Sequence, residues 1–99
     1  MNKPISYPLA KLLKEKGFDE PCPNLYYQPE MCKKPTIADV VMWLYEKHDI
    51  WINVWPMNKN EFYWGVDTNE KEFTSDDINF NSPTEAYEAA IEFILTKLI

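Results

Sequence analysis

Two cysteines, Cys22 and Cys32, and a single histidine, His48, are the side chains of this 99-residue sequence best suited to covalent or proton-transfer chemistry. A thiol beside an imidazole is the smallest nucleophile–base couple. Neither cysteine opens a predicted helix, however, and Cys22 lies between Pro21 and Pro23 with no activating cation in view. His48 falls at a predicted helix end, where an imidazole complements the helix dipole. The nine-residue gap between the thiols, with only one histidine, does not match zinc-ligand spacing. The densest acid cluster is Asp76-Asp77 near Glu70 and Glu72. Hard cations take carboxylate oxygens, but this spacing matches no EF-hand loop and lacks its central glycine, so it reads as a solvated loop. Two glycines in all exclude a glycine-rich phosphate cradle, and there is no G-x-S-x-G elbow. The expectation is no enzyme, no catalytic set, no metal and no cofactor.

What remains is adhesive rather than reactive. Ile50 to Val66 holds three of the four tryptophans, together with Phe62 and Tyr63. Two β-rich runs, Ile50–Trp55 and Glu61–Val66, flank Pro56-Met57-Asn58-Lys59-Asn60, the pattern of a hairpin. Loop parity decides which rings share a face, because a one-residue slip flips every side chain. A three-residue loop, Asn58-Lys59-Asn60, gathers Ile50, Ile52, Val54, Phe62, Trp64 and Val66 on one side and lets Asn60 take the left-handed position. The other side then carries Trp51, Asn53, Trp55, Glu61, Tyr63 and Gly65. Trp51, Asn53, Trp55 and Tyr63 are the candidate partner-binding residues. Two readings stand for them: the segment Asp19–Pro35 covers this second face, or the face is an open contact site, since tryptophan and tyrosine dominate interface energetics. In the open reading a protein partner or self-association outweighs a sugar or nucleotide, because few convergent polar groups accompany the rings.

Charge narrows the partner. The formal net charge is −6 and every basic residue is lysine, with no arginine at all. A phosphate-backbone binder needs the opposite sign and the bidentate guanidinium, so direct nucleic-acid binding is not expected. An acidic inhibitor that occupies a nucleic-acid site on a host enzyme stays open as an alternative, and a small Cys/His hydrolase as a second. No stretch approaches the ~20 apolar residues of a membrane span. The opening MNKPISYP does not read as a leader. The thiols therefore read as reduced and the location as cytoplasmic.

The elements that must position these residues follow from periodicity and caps. Ser6 with Pro8 starts a helix over 7–16, which Gly17 and Phe18 end in a Schellman motif with Phe18 closing on Leu13. Leu25 to Gln28 reads as a short edge strand in a proline-rich loop. Thr36 and Asp39 cap a second helix over 36–48, whose Ile37, Val40, Val41 and Leu44 repeat at helical spacing. Lys71 to Thr74 adds a third strand. Ser82-Pro83-Thr84-Glu85 is a capping box with proline at N1, opening a helix over 83–98. The fold class is α+β in one domain of residues 1–99: three helices on one face of a small antiparallel sheet of about three strands.

Several of these stretches occur together elsewhere. Leu12-Leu13-Lys14-Glu15-Lys16-Gly17-Phe18, Val41-Met42-Trp43-Leu44 leading to Lys47-His48, Ile52 to Val54, and Ser82-Pro83-Thr84-Glu85-Ala86-Tyr87 leading to Leu98-Ile99 run in that order. Over most of its length the chain resembles small proteins encoded by phages and mobile elements of anaerobic gut bacteria. That group has no assigned activity, so the resemblance carries over no functional residue. It implies an intracellular accessory protein of phage origin.

Overall fold

The computed structural model describes residues 3–75 and 80–99. The acidic pair Asp76-Asp77 lies outside the described residues.

Leu9, Leu12 and Leu13 recur at helical spacing, and helix α1 runs Tyr7–Glu15 with Leu9, Ala10 and Leu13 buried. Its end is the Schellman motif in full. Phe18 N donates to Leu13 O (3.0 Å) and Gly17 N to Lys14 O (3.3 Å), with Gly17 at φ +90°. Its start differs from expectation: the Ser6 side chain caps nothing. Instead Ser6 N donates to Glu88 Oε2 on the last helix at 2.9 Å, which ties the helix start to tertiary structure.

The proline-rich segment yields a minimal hairpin, β1 (Leu25–Tyr26) with β2 (Cys32–Lys33), paired antiparallel. It is shorter than the run to Gln28 suggests, because Pro29 follows directly and cannot donate to a ladder. Helix α2, Ile37–His48, has the complete Thr36–Asp39 capping box and ends on Asp49 in the left-handed region. Asp49 and Asn60 are the only non-glycine residues with positive φ among those described. A chain with two glycines uses the short polar side chains that tolerate this backbone best.

Strands β3 (Trp51–Asn58), β4 (Glu61–Asp67) and β5 (Glu72–Thr74) form an antiparallel sheet with β4 in the centre. Ile52 pairs with Val66, and Val54 with Trp64. The expected parity therefore holds, by a different route. The turn is tighter than three residues, since Asn58 pairs with Glu61, and an irregularity between Pro56 and Asn58 restores the register. A bulge on one strand supplies the odd residue that the hydrophobic pattern requires.

Helix α3, Pro83–Phe93, opens on Ser82, whose hydroxyl accepts from Glu85 N at 3.2 Å. The return bond of the expected box goes one residue further out: Asn81 N, not Ser82 N, donates to Glu85 Oε2 at 2.8 Å. The last residues, Ile94–Leu98, continue as a wider π-type turn. Helix α3 lies on the inner faces of β3 and β4 and also meets α1 and α2, so it forms the middle of the α+β packing. Ile52, Trp64 and Val66 from the sheet join Ile91, Ile94 and Leu95 from the helix and its continuation in one buried cluster. Phe93 anchors this packing with its ring 5.1 Å from Trp64 and 5.2 Å from Phe73. Among the described residues no helix is long and apolar enough to cross a membrane.

Candidate functional site: the outer face of the sheet

Because Trp64, Val66 and Ile52 face α3, strand alternation sends their neighbours outward. Register places Trp51 opposite Asp67, Asn53 opposite Gly65 and Trp55 opposite Tyr63 on β3 and β4, with Glu72 and Thr74 next to Asp67 and Gly65 on β5. Asn58, beyond the bulge, pairs with Glu61. All four candidate residues therefore share one face.

The rings on this face are held, not loose. The Trp55 indole stacks on Tyr63 with centroids 5.0 Å apart and planes at 27°. It also lies over Gly65, where an added Cβ would meet Trp55 Cζ3 at 2.7 Å. Gly65 is thus the floor on which Trp55 lies, its missing side chain making room for the ring. Trp51 packs edge-on to Tyr45 of α2 at 5.4 Å. Its Nε1 donates to Asn53 Oδ1 (3.1 Å), and Asn53 Nδ2 donates to Asp67 Oδ2 (3.2 Å). The sequence expectation of few polar groups beside the rings is corrected here. A chain of bonds crosses the strands and orients the indole.

Trp51 and Trp55 each remain 40% exposed. The segment that could have covered them goes elsewhere: β2 packs against α1, and Tyr26 stacks edge-on with Tyr7 and donates its hydroxyl to Ile5 O. Tyr27 stands in solvent. Residues 19–35 therefore do not cover the outer face of the sheet.

The free edge of β3, in contrast, is closed to strand addition. Trp64 O accepts from Ser75 N, and Phe62 N donates to Phe80 O, so even-numbered residues of β4 bond away from β3. The odd-numbered ones then bond Trp51, Asn53 and Trp55, leaving Ile52, Val54 and Pro56 turned to the edge. Ile52 is 2% exposed beside α2, and Pro56 has no N–H to offer. Proline and a bulge on an edge strand are the usual guards against sheet extension.

The nucleophile candidates are not brought together by any hydrogen bond among the described residues. Cys22 Sγ donates to Asn24 O at 3.2 Å. Cys32 is buried and lines a cavity of about 310 Å³ with Leu13, Phe18, Leu25 and Met31. Burial pushes its thiol above the usual range, with nearby Lys14 opposing and Glu30 adding to the rise. The His48 ring is packed edge-on against Trp43 at 4.9 Å, at the last residue of α2. Among the described residues no group of three or more metal-ligating side chains is assembled.

No protein-family model, no curated protein and no solved structure matches this chain.

Proposed function

We propose that this chain is a non-enzymatic protein-interaction module of phage or mobile-element origin, working in the cytoplasm. Its contact surface is the outer sheet face built on Trp51, Asn53, Trp55 and Tyr63. The observation that carries the reading is the pair of half-open indoles packed against Tyr63, Gly65, Asn53 and Tyr45. Large rings already fixed in place lose little freedom on binding, the condition under which aromatic residues become interface hot spots. An acidic inhibitor imitating nucleic acid calls for one stripe of carboxylates. The described acids are scattered instead: Glu61, Asp67 and Glu72 lie on the outer sheet face, Glu20, Asp39 and Glu46 line a groove beside α2, and Glu85, Glu88 and Glu92 line another with Leu9 and Leu12.

The test compares partner capture and oligomeric state for the intact chain, W51A/W55A and Y27A. Tyr27 is an exposed ring away from the sheet face. The double variant loses the interaction and Y27A keeps it. Equal behaviour of all three, with each folded by circular dichroism, removes the proposal.

A further inference from the structure

We infer that the partner seated on this face is a cationic polypeptide segment in extended form, with two Lys or Arg side chains four residues apart. The inference rests on the proposed contact surface and names what it takes.

The first argument is charge. Register assigns the outer face Glu61, Asp67 and Glu72 and no lysine. Lys71, next to Glu72, has its Nζ over the ring of Phe73 at 5.2 Å, and Phe73 belongs to the inward set opposite Val66. Lys59 lies in the turn beyond the end of the face, without an ion pair to any described residue. Among the described residues the only ion pair is Lys14 with Glu30, far along the chain on α1 and the β1–β2 loop. The three outer carboxylates therefore meet no ammonium within the described fold. Two copies stacked face to face would set six carboxylates against one another, which disfavours self-association through this surface. A nucleic acid is repelled for the same reason.

The second argument is the pairing of rings with acids. Asp67 sits directly across from Trp51, and its Oδ2 is occupied by Asn53 while Oδ1 is left over. Glu61 lies two residues before Tyr63 on the same face of β4, and Tyr63 stacks on Trp55. Glu61 Oε1 accepts from Asn58 Nδ2 at 3.4 Å while Oε2 is left over. A guanidinium or ammonium over an indole face gains from the ring quadrupole, and a carboxylate beside the ring adds a charge-assisted hydrogen bond. Each exposed indole thus forms half of a cation site and a neighbouring acid the other half.

The third argument is spacing. Trp51 and Trp55 are four residues apart on one strand, roughly 13 Å at the strand rise. An extended peptide laid along β3 advances by the same amount per residue, so cations at i and i+4 match the spacing of the two backbone positions from which the rings project. A long Lys or Arg side chain spans the lean of Trp55 toward Gly65.

The test titrates the intact chain with the blocked peptide Arg-Ser-Ser-Ser-Arg, following the indole Nε1–H signals of Trp51 and Trp55 by NMR. Arg-Arg-Ser-Ser-Ser matches its charge, and Glu-Ser-Ser-Ser-Glu reverses it. The spaced cationic peptide binds about fivefold or more tighter than the clustered one, and D67N/E61Q weakens it by a similar factor while leaving the unfolding midpoint in place. The carboxamide oxygen that D67N introduces can still accept from Asn53, so the fold is spared. Equal affinity for the two cationic peptides overturns the spacing, and equal affinity in D67N/E61Q overturns the acid–ring pairing. Binding of the acidic peptide, or a concentration-dependent dimer abolished by W51A/W55A, overturns the cationic partner altogether. Should no peptide bind while W51A/W55A still loses its captured partner, this inference fails and the contact surface stands.

Discussion

Replacing Gly65 with alanine probes the face without substituting any of its aromatic residues. The added Cβ would lie 2.7 Å from Trp55 Cζ3 and 2.9 Å from Cη2. Comfortable carbon–carbon contact is about 3.5–4.0 Å, so the indole must retreat by about 1 Å. The clashing atoms are the far end of a half-exposed side chain, and the ring can swing away. Its withdrawal disrupts the stack on Tyr63, an arrangement worth about 0.5–1.5 kcal/mol. Alanine in a strand recovers about 0.5–1 kcal/mol of the backbone entropy that glycine loses. The two effects nearly cancel, and G65A should keep its stability to within about 1 kcal/mol in urea unfolding. Its near-UV circular dichroism should nevertheless change and acrylamide quenching of tryptophan should rise, with partner capture weakened. Unchanged spectra and quenching would refute the seating of Trp55 on Gly65. A stability loss well beyond that margin would show that the ring cannot move, and hence that it belongs to the core rather than to a contact surface.

Other perturbations test the frame that carries the face. Gly17→Ala places a Cβ at φ +90°, and urea unfolding should show a loss of about 1–2 kcal/mol although nothing obstructs the added methyl. Thr36→Ala removes a hydroxyl that accepts from Asp39 N and should cost about 1 kcal/mol. Ser6→Ala, at a position that looks equally like a cap, should stay within about 0.5 kcal/mol in the same assay because its hydroxyl caps nothing. Burial raises the pKa of both the Cys32 thiol and the Tyr26 phenol in the folded chain. Their stabilisation is therefore complete below the ordinary thiol and phenol ranges and is lost as pH rises through the folded values. Unfolding free energy should fall with alkaline pH, less steeply in C32A and in Y26F; identical slopes in all three proteins would remove that linkage.

Much of this architecture is local chemistry, and local chemistry is written in the sequence. The Schellman ending needs only Gly17 to reach the left-handed region and Phe18 to reach back to Leu13. The α2 cap needs only Thr36 and Asp39 three residues apart. Hairpin parity follows from the aliphatic row of Ile52, Val54 and Val66, because burying it on α3 outweighs any preference of the turn. The chain reached that parity with a bulge instead of a longer loop, a substitution invisible in a pattern that records only which residues alternate.

The remainder depended on residues distant in sequence. Ser6 and Ser82 look alike as caps, yet Ser6 meets Glu88 across the fold through its backbone, and tertiary packing sets its orientation. Whether the aromatic face was covered could not be read from Asp19–Pro35, since that segment has no period to assign it a side. Packing on α1 and Tyr7 took it away from the sheet. Sequence by itself determined the elements, the inward row and the identity of the outward rings, because helix caps and strand alternation act over a few residues. Only the tertiary structure decided that residues 19–35 leave those rings open, that Trp55 lies over Gly65 and Trp51 bonds Asn53, and that Asp67 and Glu72 fall beside each other on their face, because these are relations between strands and helices rather than along them.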